Sequence, residues 1–239
     1  MSMIFPHWPR PIHRGNDSGA LCRVFAGLAL GIVIGAQPAR SQVVWGNTAI
    51  AFNTGTSWVG GSVPSSAQYG QFSAATASFN PRLSASISVG GLQFDSGTAA
   101  WTFSGTSGGA KEVLTIGSSG VLSNGSNTQT FNNANLGIVL GAAASFTSNS
   151  TGALSFGGTL DSFSNAGFLL TLAGTSTSAS NLIGEPISGA GGLRKIDAGT
   201  WTISGANTYG GTTEIGTSGG AAAGTLTLGA NNVLPGTAV

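Results

Sequence analysis

Charged residues are scarce in this 239-residue chain, and histidine and cysteine are scarcer still. Only 6% of the residues are Asp, Glu, Lys or Arg, against about 25% in an ordinary globular domain. The two histidines and the single cysteine are His7, His13 and Cys22, all close to the amino terminus. Downstream of Cys22 the chain therefore cannot form a His/Cys metal cluster, a histidine-based catalytic triad or a disulfide framework.

Basic residues are also few beyond the amino terminus. From Gln42 onward the chain has four basic and six acidic residues, a net charge of −2. A nucleic-acid-binding domain normally needs a cluster of Lys and Arg to contact phosphates. We therefore expect no nucleic-acid partner, and we expect no metal or cofactor.

The amino-terminal segment has the features of a secretory signal peptide. Three arginines precede the apolar run of residues 24–36, and Ala39 and Ser41 occupy the −3 and −1 positions of a cleavage site before Gln42. Residues 1–41 are therefore predicted to be a signal peptide. Cleavage after Ala36 is the alternative.

The same apolar run bears on location. It is shorter than the roughly 20 residues that span a bilayer comfortably, so an amino-terminal membrane anchor is the less favoured interpretation. We expect the mature chain to have no membrane span and to be secreted or displayed at the cell surface.

Glycine is abundant, with 40 residues, and short apolar pairs recur between turns rich in Gly, Ser, Asn and Thr. Trp201 and Ile203 share one parity, whereas Thr200, Thr202 and Ser204 share the other, so a strand here buries the apolar pair and exposes hydroxyls. Many short strands and almost no helix are predicted. The main pairs are Leu92/Phe94, Trp101/Phe103, Leu114/Ile116, Ile138/Leu140, Leu154/Phe156, Leu170/Leu172, Trp201/Ile203 and Leu226/Leu228.

Two all-β architectures accommodate such strands: an antiparallel sandwich and a solenoid of stacked coils. A sandwich carries scattered surface charge, whereas stacked coils align Thr, Ser and Asn into ladders that need no charge. The pattern favours a parallel β-helix over residues 87–239.

Residues 42–86 have a different composition and are predicted to form an irregular amino-terminal cap. Aromatic side chains concentrate here around two prolines, and the apolar pairing is less regular. Burial in a cap is the simpler role, and a platform for stacking carbohydrate is the alternative. The aromatic residues are Trp45, Phe52, Trp58, Tyr69, Phe72 and Phe79.

Residues 189–239 resemble the autotransporter-associated β-strand repeat. The resemblance rests on Gly189-x-Gly191-Gly192-Leu193, on the segment 199–205 (GTWTISG), on 207–212 (NTYGGT), and on the later GTL and N-x-L-P elements at 224–226 and 232–235. Trp201 in place of the usual Leu, Asp197 and Ala198 where Gly is common, and an insertion before Gly224 are the departures. These residues form the clearest copy of the repeat.

The resemblance implies a right-handed β-helical passenger of an exported bacterial protein, with a structural or adhesive role and without catalysis. Its partners would be a surface polysaccharide or a host surface. Family passengers are often carried by a carboxy-terminal outer-membrane barrel, which is expected here only if the chain is a fragment. Because the sequence stops inside a repeat, a fragment is the favoured interpretation. A spacer that presents another domain is a further alternative.

A polysaccharide-active enzyme is the remaining alternative, and its catalytic carboxylates would come from Asp161, Glu185 and Asp197. Their spacing indicates no shared register, so solvation at the surface is the expected state. Solvated turns are likewise expected for Lys111-Glu112 and for the cluster of Arg194, Lys195 and Asp197.

Two GxSxG matches, at residues 105–109 and 216–220, are expected to be chance products of the high glycine content. A nucleophile elbow needs a following helix and a histidine base, and neither is predicted here. No catalytic residue is therefore predicted.

Overall fold

The computed structural model describes residues 41–77, 79–106, 108, 111–216, 224–231 and 233–236. The predicted signal peptide, residues 1–41, lies outside the described residues except for Ser41. The helix content of the described chain is one 3₁₀ turn, Gly55–Ser57. No helix in these ranges is long and apolar enough to cross a membrane.

The described part of the chain contains seventeen strands. In order, they are β1 (Gln42–Val44), β2 (Tyr69–Phe72), β3 (Ile87–Phe94), β4 (Thr102–Phe103), β5 (Glu112–Ser123), β6 (Gln129–Phe131), β7 (Leu136–Leu140), β8 (Ala144–Ser148), β9 (Leu154–Phe156), β10 (Ser162–Ser164), β11 (Leu170–Ala173), β12 (Leu182–Ile183), β13 (Ile187–Ser188), β14 (Leu193–Lys195), β15 (Thr200–Ile203), β16 (Thr213–Ile215) and β17 (Thr225–Leu228).

All pairings between these strands are parallel, and they define three rows. Row A runs β1-β2-β3-β5-β8-β11-β14-β16, and row C runs β4-β6-β9-β12-β15-β17. Row B contains β7, β10 and β13 together with the first halves of β3 and β5. The chain visits B, A and C in turn and makes about seven coils, so the predicted β-solenoid is confirmed and the antiparallel sandwich is excluded.

Apolar columns fill the interior because equivalent residues of successive coils stack in register. In row C the first five members of one column are fully buried; they are Phe103, Phe131, Phe156, Ile183 and Ile203. The rings of Phe103, Phe131 and Phe156 stack with centroid separations of 4.5 and 4.6 Å. These separations are close to the roughly 4.8 Å between neighbouring strands, so the sheet spacing itself places the rings in contact.

The predicted strand around Trp201 has the expected faces. Trp201 and Ile203 are fully buried, whereas Thr200 and Thr202 are partly exposed. The equivalent pair in β17 is less covered, since Leu226 is half-buried and Leu228 is 47% exposed. β17 pairs with β15 on one side, and no other described strand pairs with it.

Side-chain amides replace apolar residues at two interior positions of row C. Gln129 and Asn181 are fully buried and occupy the column that also contains Trp101 and Trp201. Gln129 Oε1 accepts a hydrogen bond from the backbone N–H of Trp101 at 3.0 Å. Asn181 Oδ1 accepts one from the Leu154 N–H, also at 3.0 Å. Each amide thus satisfies backbone groups where a corner enters a strand.

Row A extends into the segment 42–86, which also contains the irregular features expected of a cap. β1 and β2 are parallel strands of the row, but Trp45 and Trp58 form an antiparallel bridge. The Val59 N–H donates to Val44 O, and the Gly46 N–H donates to Ser57 O, both at 2.8 Å. Residues 57–59 therefore satisfy part of the outer edge of β1, where a parallel coil would otherwise pair.

Candidate functional site

The aromatic residues at the amino-terminal end are packed against one another. Trp45, Phe52, Trp58 and Phe72 are at most 3% exposed. Trp45 and Trp58 meet edge to face at 5.1 Å, and the Trp58 indole N–H donates to Phe52 O at 2.8 Å. These four rings form the core of the cap and have no face free for stacking carbohydrate. Phe79 is partly exposed.

In the cluster of Arg194, Lys195 and Asp197, the expectation of solvation was wrong for Lys195, whereas Arg194 is partly exposed and Asp197 is exposed. Lys195 is fully buried, in the interior column of row A between Leu172 and Ile215. Its ammonium donates to Ile196 O at 2.5 Å and to Asp197 O at 2.9 Å. Burial lowers the pKa of the Lys195 ammonium, an effect partly opposed by the negative charge of Asp197. Hydrogen bonds to carbonyls at the corner thus replace the solvation that the sequence suggested.

Glu112 is the second correction, because it is 3% exposed rather than solvated. Its Oε2 accepts a hydrogen bond from the Thr106 N–H at 3.0 Å. The carboxylate points back toward the turn that precedes it, where a Cβ added to Gly105 would lie 2.6 Å from Oε2. Lys111, the neighbour of Glu112, is exposed as predicted. Glu112 therefore stabilises a corner of the coil.

Asp161 and Glu185 occupy matching positions on successive coils, which the sequence did not indicate. Phe163 pairs in register with Ile187, and each carboxylate residue lies two positions before its member of that pair. The Lys111 ammonium forms an ion pair with Asp161. Burial, and to a smaller extent the negative charge of Asp161, raises the pKa of the Glu185 carboxyl.

Asp197 lies at a different corner from Asp161 and Glu185. It follows β14 and leads from row A to row C, whereas the other two residues lie between row C and row B. Asp197 Oδ2 accepts a hydrogen bond from the Gly174 N–H at 3.0 Å. The backbone of Asp197 has a φ of +60°. The fold thus brings together two of the three carboxylates considered and gives the third a turn-stabilising contact.

The two GxSxG matches fall largely outside the described residues. Ser107 and Gly109 of the first match and residues 217–220 of the second are not described. Among the residues that the structure does describe, no group of three or more His, Cys, Asp and Glu side chains is placed to hold a metal ion.

A polar groove at the corner between rows A and C was not predicted. The sequence predicts only turns between strands for the segments that line it, around Asn149 and Thr177. Their Ser, Thr and Asn content does not differ from that of other turns, so only the stacking of one corner loop on another reveals the groove.

Comparison of the chain with protein-family models, with curated proteins and with solved structures found no match.

Proposed function

We propose that the protein is an exported structural or adhesive β-helical passenger of a bacterial cell-surface protein, and that it carries out no catalysis. The observation that carries the proposal is the structural use of its polar and charged interior groups. Lys195, Glu112, Gln129 and Asn181 are all buried and hydrogen-bonded to backbone at coil corners or strand ends. Such an arrangement serves a stacked scaffold, whose surface is then available for contacts.

Two features of the sequence support export and surface location. Residues 1–41 have the charge and apolar pattern of a signal peptide, and residues 189–239 resemble the autotransporter-associated repeat. Weak contacts repeated on neighbouring chains at a surface would sum to a stable attachment.

Export is tested by expressing the full chain in a diderm bacterium and sequencing the amino terminus of the product found outside the cytoplasm. We expect a product that begins at Gln42, or at Gln37 for the alternative cleavage. Leu30→Arg places a charge in the apolar run and is expected to retain the chain in the cytoplasm, whereas Ser18→Arg, which precedes the run, is not. Cytoplasmic retention of the unprocessed wild type would contradict export.

Adhesion is tested with beads that carry the purified chain, or an inert protein of similar charge, exposed to polysaccharide-coated and cell-coated surfaces. Retention of the first beads under flow supports an adhesive role. Equal retention of both kinds of bead removes adhesion and leaves a spacer role.

A polysaccharide-active enzyme is the second candidate, and the matching positions of Asp161 and Glu185 on successive coils are the observation that favours it. The negative charge of Asp161 acts on the Glu185 carboxyl, and retaining glycosidases use two carboxyl groups that lie roughly 5–5.5 Å apart. The raised pKa of Glu185 suits a proton donor, and Asp161, which forms an ion pair with Lys111, would be the second carboxylate.

This second candidate predicts measurable depolymerisation of some polysaccharide. Asp161→Asn and Glu185→Gln should each abolish it, whereas Asp197→Asn should leave the rate per folded molecule unchanged. Absence of reducing-end release from a panel of neutral and acidic polysaccharides would remove the enzyme hypothesis.

A further inference from the structure

The corner between rows A and C carries a groove of about 520 Å³ between two successive coils. One wall is the loop that joins β8 to β9, through residues 149–151, and the other is the loop that joins β11 to β12, through residues 175–178. All the lining residues are Ser, Thr or Asn. The groove therefore presents hydroxyl and amide groups without a charge or an aromatic ring.

One wall belongs to a loop that is longer than the loop on which it stacks. Ala173 pairs with Thr147 and Leu182 pairs with Ser155, so Gly174 is level with Ser148 and Asn181 with Leu154. Between these positions, residues 175–180 stand against residues 149–153, which is six residues against five. The groove lies between these two loops.

Hydrogen bonds hold the long loop in place. Ser176 is 4% exposed, and its hydroxyl donates to Gly152 O, in the opposite wall, at 3.2 Å. The Thr175 hydroxyl donates to Asn149 O at 3.2 Å. Within the loop, the Ser178 N–H donates to Ser176 Oγ at 3.3 Å. The walls are thus linked to each other before any ligand binds, which lowers the entropic cost of binding.

Other side chains of the two walls remain accessible to solvent. Thr151 and Thr177 are exposed, one on each wall, and Ser150 is half-buried. Each hydroxyl can donate one hydrogen bond and accept others. A ligand in the groove would therefore meet hydrogen-bond donors and acceptors from both walls, which belong to two successive coils.

We propose that this groove binds a neutral oligosaccharide. The lining provides no charge to pair with an anion or a cation, and its apolar surface comes from the carbon atoms of Ser, Thr and Asn rather than from a large aliphatic or aromatic side chain. Several uncharged groups that both donate and accept hydrogen bonds match the vicinal hydroxyls of a neutral sugar. The inference rests on the proposed adhesive function and gives it a ligand class and a location.

Binding at one groove is weak, because the lining lacks the large aliphatic and aromatic side chains that supply most affinity in ligand sites. We expect a dissociation constant of about 1 mM or above for a single site. Attachment of an extended glycan would then depend on many chains displayed on one surface.

The test is a titration of the purified, isotopically labelled full chain with maltohexaose, cellohexaose and xylohexaose, followed by amide NMR. At least one neutral oligosaccharide should shift the resonances of Ser150, Thr151, Thr177 and Ser178. Oligogalacturonate and chitosan oligomers, which carry charges, should shift them less at equal concentration. If none of the neutral sugars shifts these amides by about 20 mM, roughly twenty times the expected constant, the proposal is overturned.

Variants separate the groove from the rest of the polar surface. The double variant Thr151→Val/Thr177→Val removes one hydroxyl from each wall and keeps the β-branched shape, and should weaken binding about tenfold. Thr102→Val and Thr227→Val, in exposed positions of row C, are the matched controls and should leave binding unchanged. Equal weakening by the controls would overturn the assignment to the groove.

Failure of this proposal and failure of the proposed function give different results. Binding is measured on the purified chain in solution, whereas export and bead retention are measured on cells and surfaces. Glycan binding without bead retention supports the groove and removes the adhesive role. Bead retention that the double variant leaves unchanged overturns the groove as the adhesive site.

Discussion

Glycine is required at those corners where the backbone of the next coil passes directly beside its Cα atom. Gly120 is the clearest example: its φ is +66°, and an added Cβ would lie 2.0 Å from Ser145 O. Gly97 has a similar φ of +79° but has no atom within 4 Å of that position. The two residues share a backbone conformation and differ in available space.

Gly120→Ala and Gly97→Ala therefore separate the two costs. Gly97→Ala should lower the free energy of unfolding by about 1 kcal/mol, because only the positive φ is strained. Gly120→Ala should cost about 1–3 kcal/mol more, because the methyl group meets the carbonyl of the adjacent coil. Denaturant unfolding of both variants measures the difference. If the two variants lost equal free energy of unfolding, the result would show that the coils move apart at Gly120 without a cost in stability.

The shifted pKa of the Glu185 carboxyl makes the stability of the fold depend on pH. Its pKa is raised in the folded chain, so the neutral form is favoured there relative to the unfolded chain. The stabilisation that results is fully present below the unfolded pKa, about 4.3, and is lost as pH rises through the folded pKa. The carboxylate therefore destabilises the fold at neutral pH relative to an uncharged side chain.

Glu185→Gln should accordingly raise the thermal unfolding midpoint at pH 7 and leave little difference from the wild type near pH 3. NMR titration of the carboxyl carbon in Asp161→Asn tests the cause. The pKa of Glu185 should fall in that variant and still exceed the ordinary value, because burial is the larger contribution. A fall to the ordinary value would assign the whole shift to Asp161.

At the scale of the element, the strands are too short to be stable alone, and stacking of their side chains provides the core. The six described strands of row C each contain only two to four residues. Phe131, in β6, contacts Phe103 and Phe156 on the coils before and after it. Each coil therefore depends on its two neighbours, as expected for a quasi-one-dimensional fold.

Phe131→Ala should lower the free energy of unfolding by about 3–5 kcal/mol because it leaves a cavity between two stacked rings. Phe131→Leu keeps most of the volume and should cost under about 1.5 kcal/mol. Phe168→Ala is the control for loss of an aromatic ring, since Phe168 is 39% exposed at a corner, and it should cost about 1 kcal/mol or less. Equal effects of Phe131→Ala and Phe168→Ala would contradict stacking as the source of stability.

At the scale of the whole described solenoid, the two ends differ. The amino-terminal end is covered by residues 57–59 and by a core of aromatic rings. At the carboxy-terminal end, Ile215 and Leu228 are 61% and 47% exposed, although the residues above them in the same columns are buried. The residues that cover the amino-terminal end lie within the segment 42–86, for which a separate cap stays a prediction.

The sequence alone was sufficient for the class of fold. Alternation of apolar pairs with Thr and Ser predicts which side chains of each short strand are buried, and low charge with Gly-rich corners favours stacked coils over a sandwich. These features are local: strand parity and turn chemistry depend on neighbours along the chain. The burial of Trp201 and Ile203 beside Thr200 and Thr202 could therefore be predicted correctly.

Register between coils was decided only by the tertiary structure, because coil length varies and equivalent residues lie 20 to 29 positions apart. With a variable period, spacing in the sequence cannot show that Asp161 aligns with Glu185. It also cannot show that Lys195 enters an apolar column, or that residues 175–178 stand beside residues 149–151 and form a groove with them. Composition and alternation determined the coil, whereas the packing of one coil on the next decided which polar residues are buried and which line the groove.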